Sequence, residues 1–245
     1  MSLEDYSRVL AVFAHPDDAE FQFGGTVAKL ARMGAEVNYV VCTDGSRGGP
    51  DPAVPDSELA AIRADEQLAA ARVLGVKDVA FLGYKNGTLE VTVELRRDIV
   101  RQIRRFKPEL ILTLPPFRVL DAPIALSHRE HMNVGEATLI ATYPEASSPR
   151  AYPELLEEGF EPHRVTDVWI PAFGDADRFI DVSDVVDVKV EAIRCHTSQL
   201  DEKTGRPGWT FENRTAPPMR AAGNRIGCEY AESFRTIPII QRASA

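Results

Sequence analysis

Residues 11–26, AVFAHPDDAEFQFGGT, join an apolar run to a group of charged side chains. The run RVLAVFA, residues 8–14, is typical of a buried β-strand. It ends at His15, which is followed after one proline by two adjacent carboxylates, Asp17 and Asp18. Neighbouring carboxylates repel each other unless a cation, a proton or water compensates their negative charge. The end of this strand is therefore a candidate functional site.

Short apolar runs alternate with helical patterns along the first half of the chain. The predicted strands are residues 8–14, 36–43, 78–83 and 109–115, and the predicted helices are residues 26–34, 58–75 and 91–108. This alternation predicts right-handed βαβ units and an α/β fold with a Rossmann-like open, mostly parallel sheet flanked by helices. A length of 245 residues suffices for one large core, so we expect a single domain over residues 1–245.

The pattern is looser after residue 115. It predicts helices at residues 128–142 and 185–199, strands at 167–173 and 178–183, and loops at 44–57, 144–153 and 201–218. Long loops in a compact domain are often binding or lid segments, although plain surface excursions are nearly as common.

Composition and charge exclude several classes of partner. The net charge of -9 disfavours nucleic acid and anionic membranes, which most of the surface would repel. No segment approaches the roughly 20 apolar residues that span a bilayer, so we expect no membrane insertion. The three cysteines, Cys42, Cys195 and Cys228, form no CxxC motif and indicate reduced thiols in a cytoplasmic protein.

The polar residues after the first strand allow two interpretations. Ligands of open parallel sheets bind beyond the carboxyl ends of the strands, which is where His15 and the two aspartates lie. In a helical turn, His15 and Asp18 would point the same way and could bind a metal ion, with Asp17 as a non-ligating carboxylate beside them. Alternatively, an aspartate here caps a helix by accepting backbone N–H bonds.

A second cluster favours the metal site. In SHREHMNVG, residues 127–135, His128 and His131 are three residues apart at the start of a predicted helix that follows the fourth strand. Two imidazoles and one carboxylate, with positions left for water, are typical of catalytic rather than structural zinc sites.

These two motifs together resemble the LmbE/PIG-L family of zinc-dependent N-deacetylases. The family's AHPDDE-like motif is present as AHPDDAE at residues 14–20, its GGT helix start at 24–26 and its HxxH at 128–131. Shorter matches are TDG at 43–45, an IR..E segment at 62–66, LGYKNG at 82–87, HTSQ at 196–199 and YAESFR at 230–235.

The resemblance implies a role for each of several residues. The metal ligands would be His15, Asp18 and His131, which hold one Zn²⁺ per subunit, and the general base would be Asp17. His128 would stabilise the oxyanion or act as an acid, and Arg63 and Asn86 would line the substrate pocket. Two histidines and a carboxylate also accept other divalent metals, such as iron, manganese or cobalt.

Four residues in or near these motifs carry open questions. The family usually has Asp where this chain has Glu130, a position that bears on hydrogen bonding to a histidine. It also usually has Asp at Asn86, so a negative charge is missing where a sugar hydroxyl would be held. Arg63 could instead form an ordinary helix-surface ion pair with Glu66. His196 could line the pocket or belong to the core.

The resemblance implies a hydrolase that removes an acetyl or other acyl group from a small N-acylated amino sugar, such as an N-acetylglucosamine conjugate. It also implies a homotrimer or homohexamer. One alternative is an amidase that cleaves a larger amide, such as a mycothiol S-conjugate. Another is a non-catalytic metal- or nucleotide-binding protein, although neither GxGxxG nor a Walker A sequence follows the first strand.

Overall fold

The computed structural model describes residues 2–49, 51–120, 124–200 and 210–239, and these contain seven strands of one sheet. The strands are β1 (Arg8–Phe13), β2 (Glu36–Thr43), β3 (Asp78–Tyr84), β4 (Leu110–Thr113), β5 (Asp167–Pro171), β6 (Arg178–Asp181) and β7 (Ala231–Ile237). The helices are α1 (Asp18–Arg32), α2 (Asp56–Leu74), α3 (Val93–Phe106), α4 (Arg129–Ile140), α5 (Pro153–Glu157), α6 (Val186–Arg194), α7 (Thr197–Leu200) and α8 (Ala216–Ile226).

The predicted Rossmann-like, mostly parallel sheet is confirmed. Its strands lie in the order β3-β2-β1-β4-β5-β7-β6. Each pairing from β3 across to β5 is parallel, and β7 runs antiparallel to its neighbours β5 and β6. The sequence did not indicate β7, because its AESFRTI run carries charged side chains at Glu232 and Arg235.

Several element boundaries differ from those predicted. Helix α1 begins at Asp18 rather than at residue 26, because its polar first turn is buried at the site. The predicted helix 185–199 is divided into α6 and α7. Of the predicted loop 201–218, residues 201–209 lie outside the described residues, and the remainder leads into α8 at Ala216. None of the helices in the described ranges combines the length and the hydropathy that a membrane span requires.

Apolar sequence and local caps explain the central elements. All residues of β1 from Val9 to Phe13 are buried between β2 and β4. Helix α3 is capped by the Thr92 hydroxyl, which accepts a hydrogen bond from Leu95 N at 3.2 Å. The apolar face of α3 is buried at Leu95, Ile99 and Ile103.

The strand order places two loops side by side. From β1 the chain passes through α1 to β2 on one side, and it later returns through α3 to β4 on the other side. Val12 of β1 pairs with Thr113 of β4, so the two strands end at the same level. Such a reversal of strand order opens a crevice at the carboxyl ends of an α/β sheet. The HPDD and HREH segments follow these two strands.

A buried ion pair supports a break in α1. Phe23 leaves helical geometry, with φ -147° and ψ 19°. The Glu232 carboxylate accepts hydrogen bonds from Gly25 N at 2.9 Å and Thr26 N at 2.7 Å, beyond the break. Lys189 Nζ donates to Phe21 O at 3.0 Å, before the break, and lies 2.5 Å from Glu232. The pair therefore satisfies backbone groups that the interrupted helix leaves without partners.

Gly135 sets the distance between α4 and the end of β4. A Cβ atom at this position would lie 2.2 Å from the Leu114 carbonyl oxygen. Four residues earlier on the same helix face is His131, because residues i and i+4 of a helix share one face. The absence of a side chain at Gly135 thus brings His131 close to the strand end.

We expect Gly135→Ala to destabilise the protein by about 1 to 3 kcal/mol, the usual cost of overpacking. Urea unfolding measures this loss. Gly24→Ala is a matched control in a helix, because its Cβ would have no neighbour nearer than 3.5 Å. Gly24→Ala should leave the free energy of unfolding unchanged or slightly raise it. Equal losses of unfolding free energy in the two variants would contradict the close approach of α4 to the end of β4.

Candidate active site

The seven residues that the sequence assigns to the site line one cavity of about 250 Å³ at the carboxyl ends of the strands. They are His15, Asp17, Asp18, Arg63, Asn86, His128 and His131. Arg47, Gly48 and Gln199 complete the lining. The fold therefore brings together segments that are far apart in the sequence; His15 and His131, for example, are 116 residues apart.

Three donor atoms form a compact triangle inside this cavity. His15 Nδ1 lies 3.2 Å from His131 Nε2 and 3.4 Å from Asp18 Oδ2, and His131 Nε2 lies 3.0 Å from Asp18 Oδ1. Ligands at zinc distances in tetrahedral geometry are separated by about 3.3 Å. The residues present therefore fit a divalent metal ion such as zinc.

Backbone N–H groups that precede α1 hold the Asp18 carboxylate in place. Oδ2 accepts hydrogen bonds from Ala14 N at 3.2 Å and His15 N at 2.8 Å. These donors precede α1, so Asp18 does not cap the helix that it begins. Asp17 occupies the N-cap position, but its side chain makes no capping hydrogen bond. The geometry agrees with the metal interpretation of the motif rather than with the capping alternative.

Asp17 has a strained backbone, with φ 108° and ψ -26°. This left-handed region is unfavourable for residues other than glycine and is often found at functional sites. The backbone N–H of Asp17 donates to Gln67 Oε1 at 3.0 Å, and its Oδ1 lies 3.6 Å from the Arg63 guanidinium. Two side chains of α2 thus support the strained turn.

Arg63 is almost fully buried and binds backbone as well as Asp17. Its guanidinium donates to Gly45 O at 2.8 Å and also to Pro16 O. Glu66, the partner in the alternative surface pair, instead accepts hydrogen bonds from Thr197 Oγ1 and Ser198 N, both at 2.7 Å. Both side chains therefore connect α2 to segments around the cavity.

His128 is exposed and lies immediately before α4. Its ring centre is 5.2 Å from that of His15 and 5.1 Å from that of His131. The three imidazoles place one nitrogen each within 4.8 Å of one another, so they form a second possible donor set. Partial desolvation of the ring at the cavity wall and the neighbouring His131 and His15 lower the pKa of His128 below its ordinary value.

His15 is oriented by Glu130, one of the two residues that depart from the family pattern. Its Nε2 lies 2.9 Å from Glu130 Oε2. A carboxylate on the outer ring nitrogen selects the tautomer whose other nitrogen faces a metal. Burial alone would raise the pKa of Glu130, but its hydrogen bonds to His15 and the Leu89 backbone lower it to about 2.

His196 belongs to the core and not to the cavity wall. It is fully buried, and its Nε2 lies 3.0 Å from Glu20 Oε2. Glu20 Oε1 accepts a hydrogen bond from Gln67 Nε2 at 3.0 Å, and Gln67 in turn holds the Asp17 backbone. A chain of buried polar side chains thus extends from His196 to the candidate base.

Positive charge and the Asp18 carboxylate balance each other in the donor triangle. Burial alone would lower the pKa of His15, but hydrogen bonds to Asp18 and Glu130 raise it to about 9. Burial alone would raise the pKa of Asp18, but the two histidines, His131 most strongly, hold it well below its ordinary value. The triangle therefore favours a cation, whether proton or metal.

A family model described as "PIG-L: GlcNAc-PI de-N-acetylase" matches residues 10–142, which include every one of the seven predicted site residues. The chain belongs to the PIG-L family. The match begins in β1 and ends just beyond α4, so it contains both motifs that meet in the donor triangle.

Individual relatives extend the similarity over nearly all of the chain. Diacetylchitobiose deacetylase of Thermococcus kodakarensis is 33% identical over 96% of this chain and 84% of its own length. A probable N-acetyl-alpha-D-glucosaminyl L-malate deacetylase 2 of Bacillus anthracis is 30% identical over 82% of this chain and 85% of its own. The solved structure of N,N'-diacetylchitobiose deacetylase from Pyrococcus horikoshii superimposes with TM-score 0.87 at 30% identity, covering 97% and 86% of the two chains.

The sequence did not reveal every residue that builds the site. Gln67 lies one helical turn after Arg63, and this i,i+4 spacing is the sequence signal that places both side chains on the same helix face. Arg47 and Gly48 follow β2 at the same sheet edge, within the loop predicted at residues 44–57, and their sequence alone indicates no role in the site. Gln199 belongs to the HTSQ match, of which only His196 was considered.

We expect chelator-treated protein to lose stability between pH 6.5 and pH 9. The pKa of His15 rises from 6.5 to about 9 on folding, so its contribution is complete below 6.5 and disappears as pH passes through 9. Its full size is about 3 kcal/mol. Urea unfolding at both pH values measures the loss. His15→Gln should remove this part of the pH dependence, and an unchanged profile in that variant would contradict the assignment.

Proposed function

We propose that this PIG-L protein is a metal-dependent hydrolase that removes the acetyl group from an N-acetylated amino-sugar conjugate. The donor triangle of His15, Asp18 and His131, with Asp17 beside it, is the observation that carries the proposal. The relatives that are named as deacetylases of diacetylchitobiose and of N-acetylglucosaminyl malate support the substrate class. The metal and the role of each residue are part of the proposal.

His15, Asp18 and His131 would hold the metal ion. A bound zinc ion lowers the pKa of water and polarises an acyl carbonyl, which is the chemistry that amide hydrolysis requires. Behind this set, Glu130 orients the His15 ring, and the backbone of Ala14 and His15 orients Asp18. The ligands are thus arranged before any ion arrives.

Asp17 would act as the general base. Its carboxylate lines the cavity next to the donor triangle, and the Gln67 contact and the Arg63 guanidinium support its turn. In this position it can accept a proton from the attacking water and afterwards return that proton to the leaving amine. A positioned base of this kind contributes about 10² to 10⁴ in rate.

His128 would face the oxyanion that forms when water adds to the amide carbon. Burial and the neighbouring histidines lower its pKa and so favour the neutral ring, which would donate an N–H hydrogen bond to the oxyanion. The return of the proton to the amine then falls to Asp17. Arg63 is 2% exposed and engaged with backbone oxygens, which favours a role in holding the Asp17 turn.

Free-amine release tests the proposal. N,N'-diacetylchitobiose, N-acetylglucosaminyl malate and larger amides of amino sugars form the substrate panel, with the zinc-loaded protein as enzyme. We expect turnover of at least one acetylated conjugate. If only larger amides were cleaved, the protein would be an amidase, and if the protein bound no divalent metal, the proposed function would be wrong.

We expect Asp17→Asn to retain bound zinc and to lose about 10² to 10⁴ in kcat, because the variant removes the base without removing a ligand. Metal content by elemental analysis and single-turnover kinetics separate the two effects. Asp184→Asn is a matched control, because Asp184 lies in a half-exposed surface ion pair with Lys29. Full activity of Asp17→Asn would exclude the general-base role.

A further inference from the structure

We propose that Asn86 and Glu130 form a matched pair in which Asn86 is a positioning residue for the metal site. Asn86 Nδ2 donates a hydrogen bond to Glu130 Oε2 at 2.8 Å, and the same oxygen is the partner of His15. This inference rests on the proposed function only in requiring that His15 binds a metal ion. It assigns to Asn86 a task other than contact with the sugar.

The Glu130 carboxylate is fully enclosed by hydrogen-bond donors. Oε1 accepts from Gly87 N at 2.8 Å and Leu89 N at 3.0 Å, while Oε2 faces Asn86 and His15. Buried carboxylates require such partners, because an unpaired buried charge is costly. Glu130 is 3% exposed, so these partners rather than water stabilise its charge.

The Asn86 side-chain amide acts both as a hydrogen-bond donor and as a hydrogen-bond acceptor. Nδ2 donates to Glu130, and Oδ1 accepts a hydrogen bond from Arg47 N at 2.9 Å. The Asn86 backbone N–H also donates to Asp44 Oδ1 at 3.0 Å. Only a side chain with both a donor and an acceptor satisfies these contacts, and asparagine provides both at this length.

An aspartate at position 86 would be unfavourable in this chain. It could still accept from Arg47 N, but its second oxygen would take the place of Nδ2, 2.8 Å from the Glu130 carboxylate. Two carboxylates at that distance repel strongly in a buried site. The two departures from the usual family residues, Glu130 and Asn86, are therefore explained together and not as separate exchanges.

The pair controls the metal site through the His15 ring. When Glu130 accepts a hydrogen bond from Nε2, the proton of neutral His15 stays on that nitrogen and Nδ1 keeps its lone pair for a metal. Asn86 holds Glu130 Oε2 in place for this contact. Loss of such outer partners typically lowers metal affinity about 10- to 100-fold.

Zinc affinity in competition with a chromophoric chelator tests this role without any substrate. We expect Asn86→Asp to bind zinc about 10- to 100-fold more weakly than the wild-type protein. Asn86→Ala removes the donor without adding a charge, so it should bind more tightly than Asn86→Asp. A residue that only contacts the sugar would change KM in both variants and leave their zinc affinity unaltered.

Asn133→Asp is a matched control on α4. Asn133 Nδ2 donates to Leu89 O at 2.8 Å and to Glu90 Oε2 at 3.4 Å, close to the same loop, and neither of these hydrogen bonds involves the Glu130 carboxylate. We expect its zinc affinity to stay within about twofold of wild type. Urea unfolding of the chelator-treated variants separates a general loss of fold from a specific loss of affinity.

The double variant Asn86→Asp/Glu130→Gln tests the pairing itself. Repulsion requires both carboxylates, so the double variant should lose less affinity than the product of the two single losses. Strict additivity, or wild-type affinity in Asn86→Asp, would overturn the inference while leaving the proposed function intact. Absence of zinc binding in the wild-type protein would instead contradict the proposed function.

Discussion

The buried Asp18 carboxylate is the constraint on which the site depends. One oxygen accepts hydrogen bonds from the backbone that leaves β1, and the other lies 3.0 Å from His131, which belongs to the helix after β4. Asp18 therefore joins the two sides of the crevice created by the reversal of strand order. Its charge requires compensation, and the His15 and His131 rings provide it or share it with a cation.

A second layer of polar side chains maintains this arrangement. Glu130 and Asn86 hold the His15 ring from one side, and Gln67 with Arg63 supports the strained turn at Asp17 from another. Strained backbone persists only where the surroundings enforce it. The buried hydrogen bonds around the cavity thus have a common effect: they keep charged groups in positions that an isolated turn would not adopt.

The central strands and the main motifs were readable from the sequence, whereas the supporting contacts were not. Runs such as RVLAVFA are buried on both faces, so composition alone identifies them. The local sequence pattern does not predict strand β7, because the strand contains a charged residue, Glu232, which is buried against Lys189 and the α1 backbone. The first turn of α1 is not predicted for a similar reason, because its polar side chains are buried at the site. Tertiary partners satisfy these charges, and such partners are invisible in a local pattern.

The candidate ligands were recognisable as motifs, but their mutual geometry depended on the fold. Glu130 and Asn86 illustrate the limit, since each appeared as a separate departure from the family pattern. Their hydrogen bond links residues 44 positions apart, which no local spacing indicates. Likewise, only the structure revealed that His196 is fully buried and contacts Glu20 instead of the cavity.

The position of a bound ion tests the account most directly, because two donor sets are available around His15. Crystals grown with zinc and measured at the zinc absorption edge would locate the ion in an anomalous difference map. We expect one peak, about 2.0 to 2.2 Å from His15 Nδ1, Asp18 and His131 Nε2. A peak coordinated by His15, His128 and His131 without Asp18, or no peak in the cavity, would contradict it.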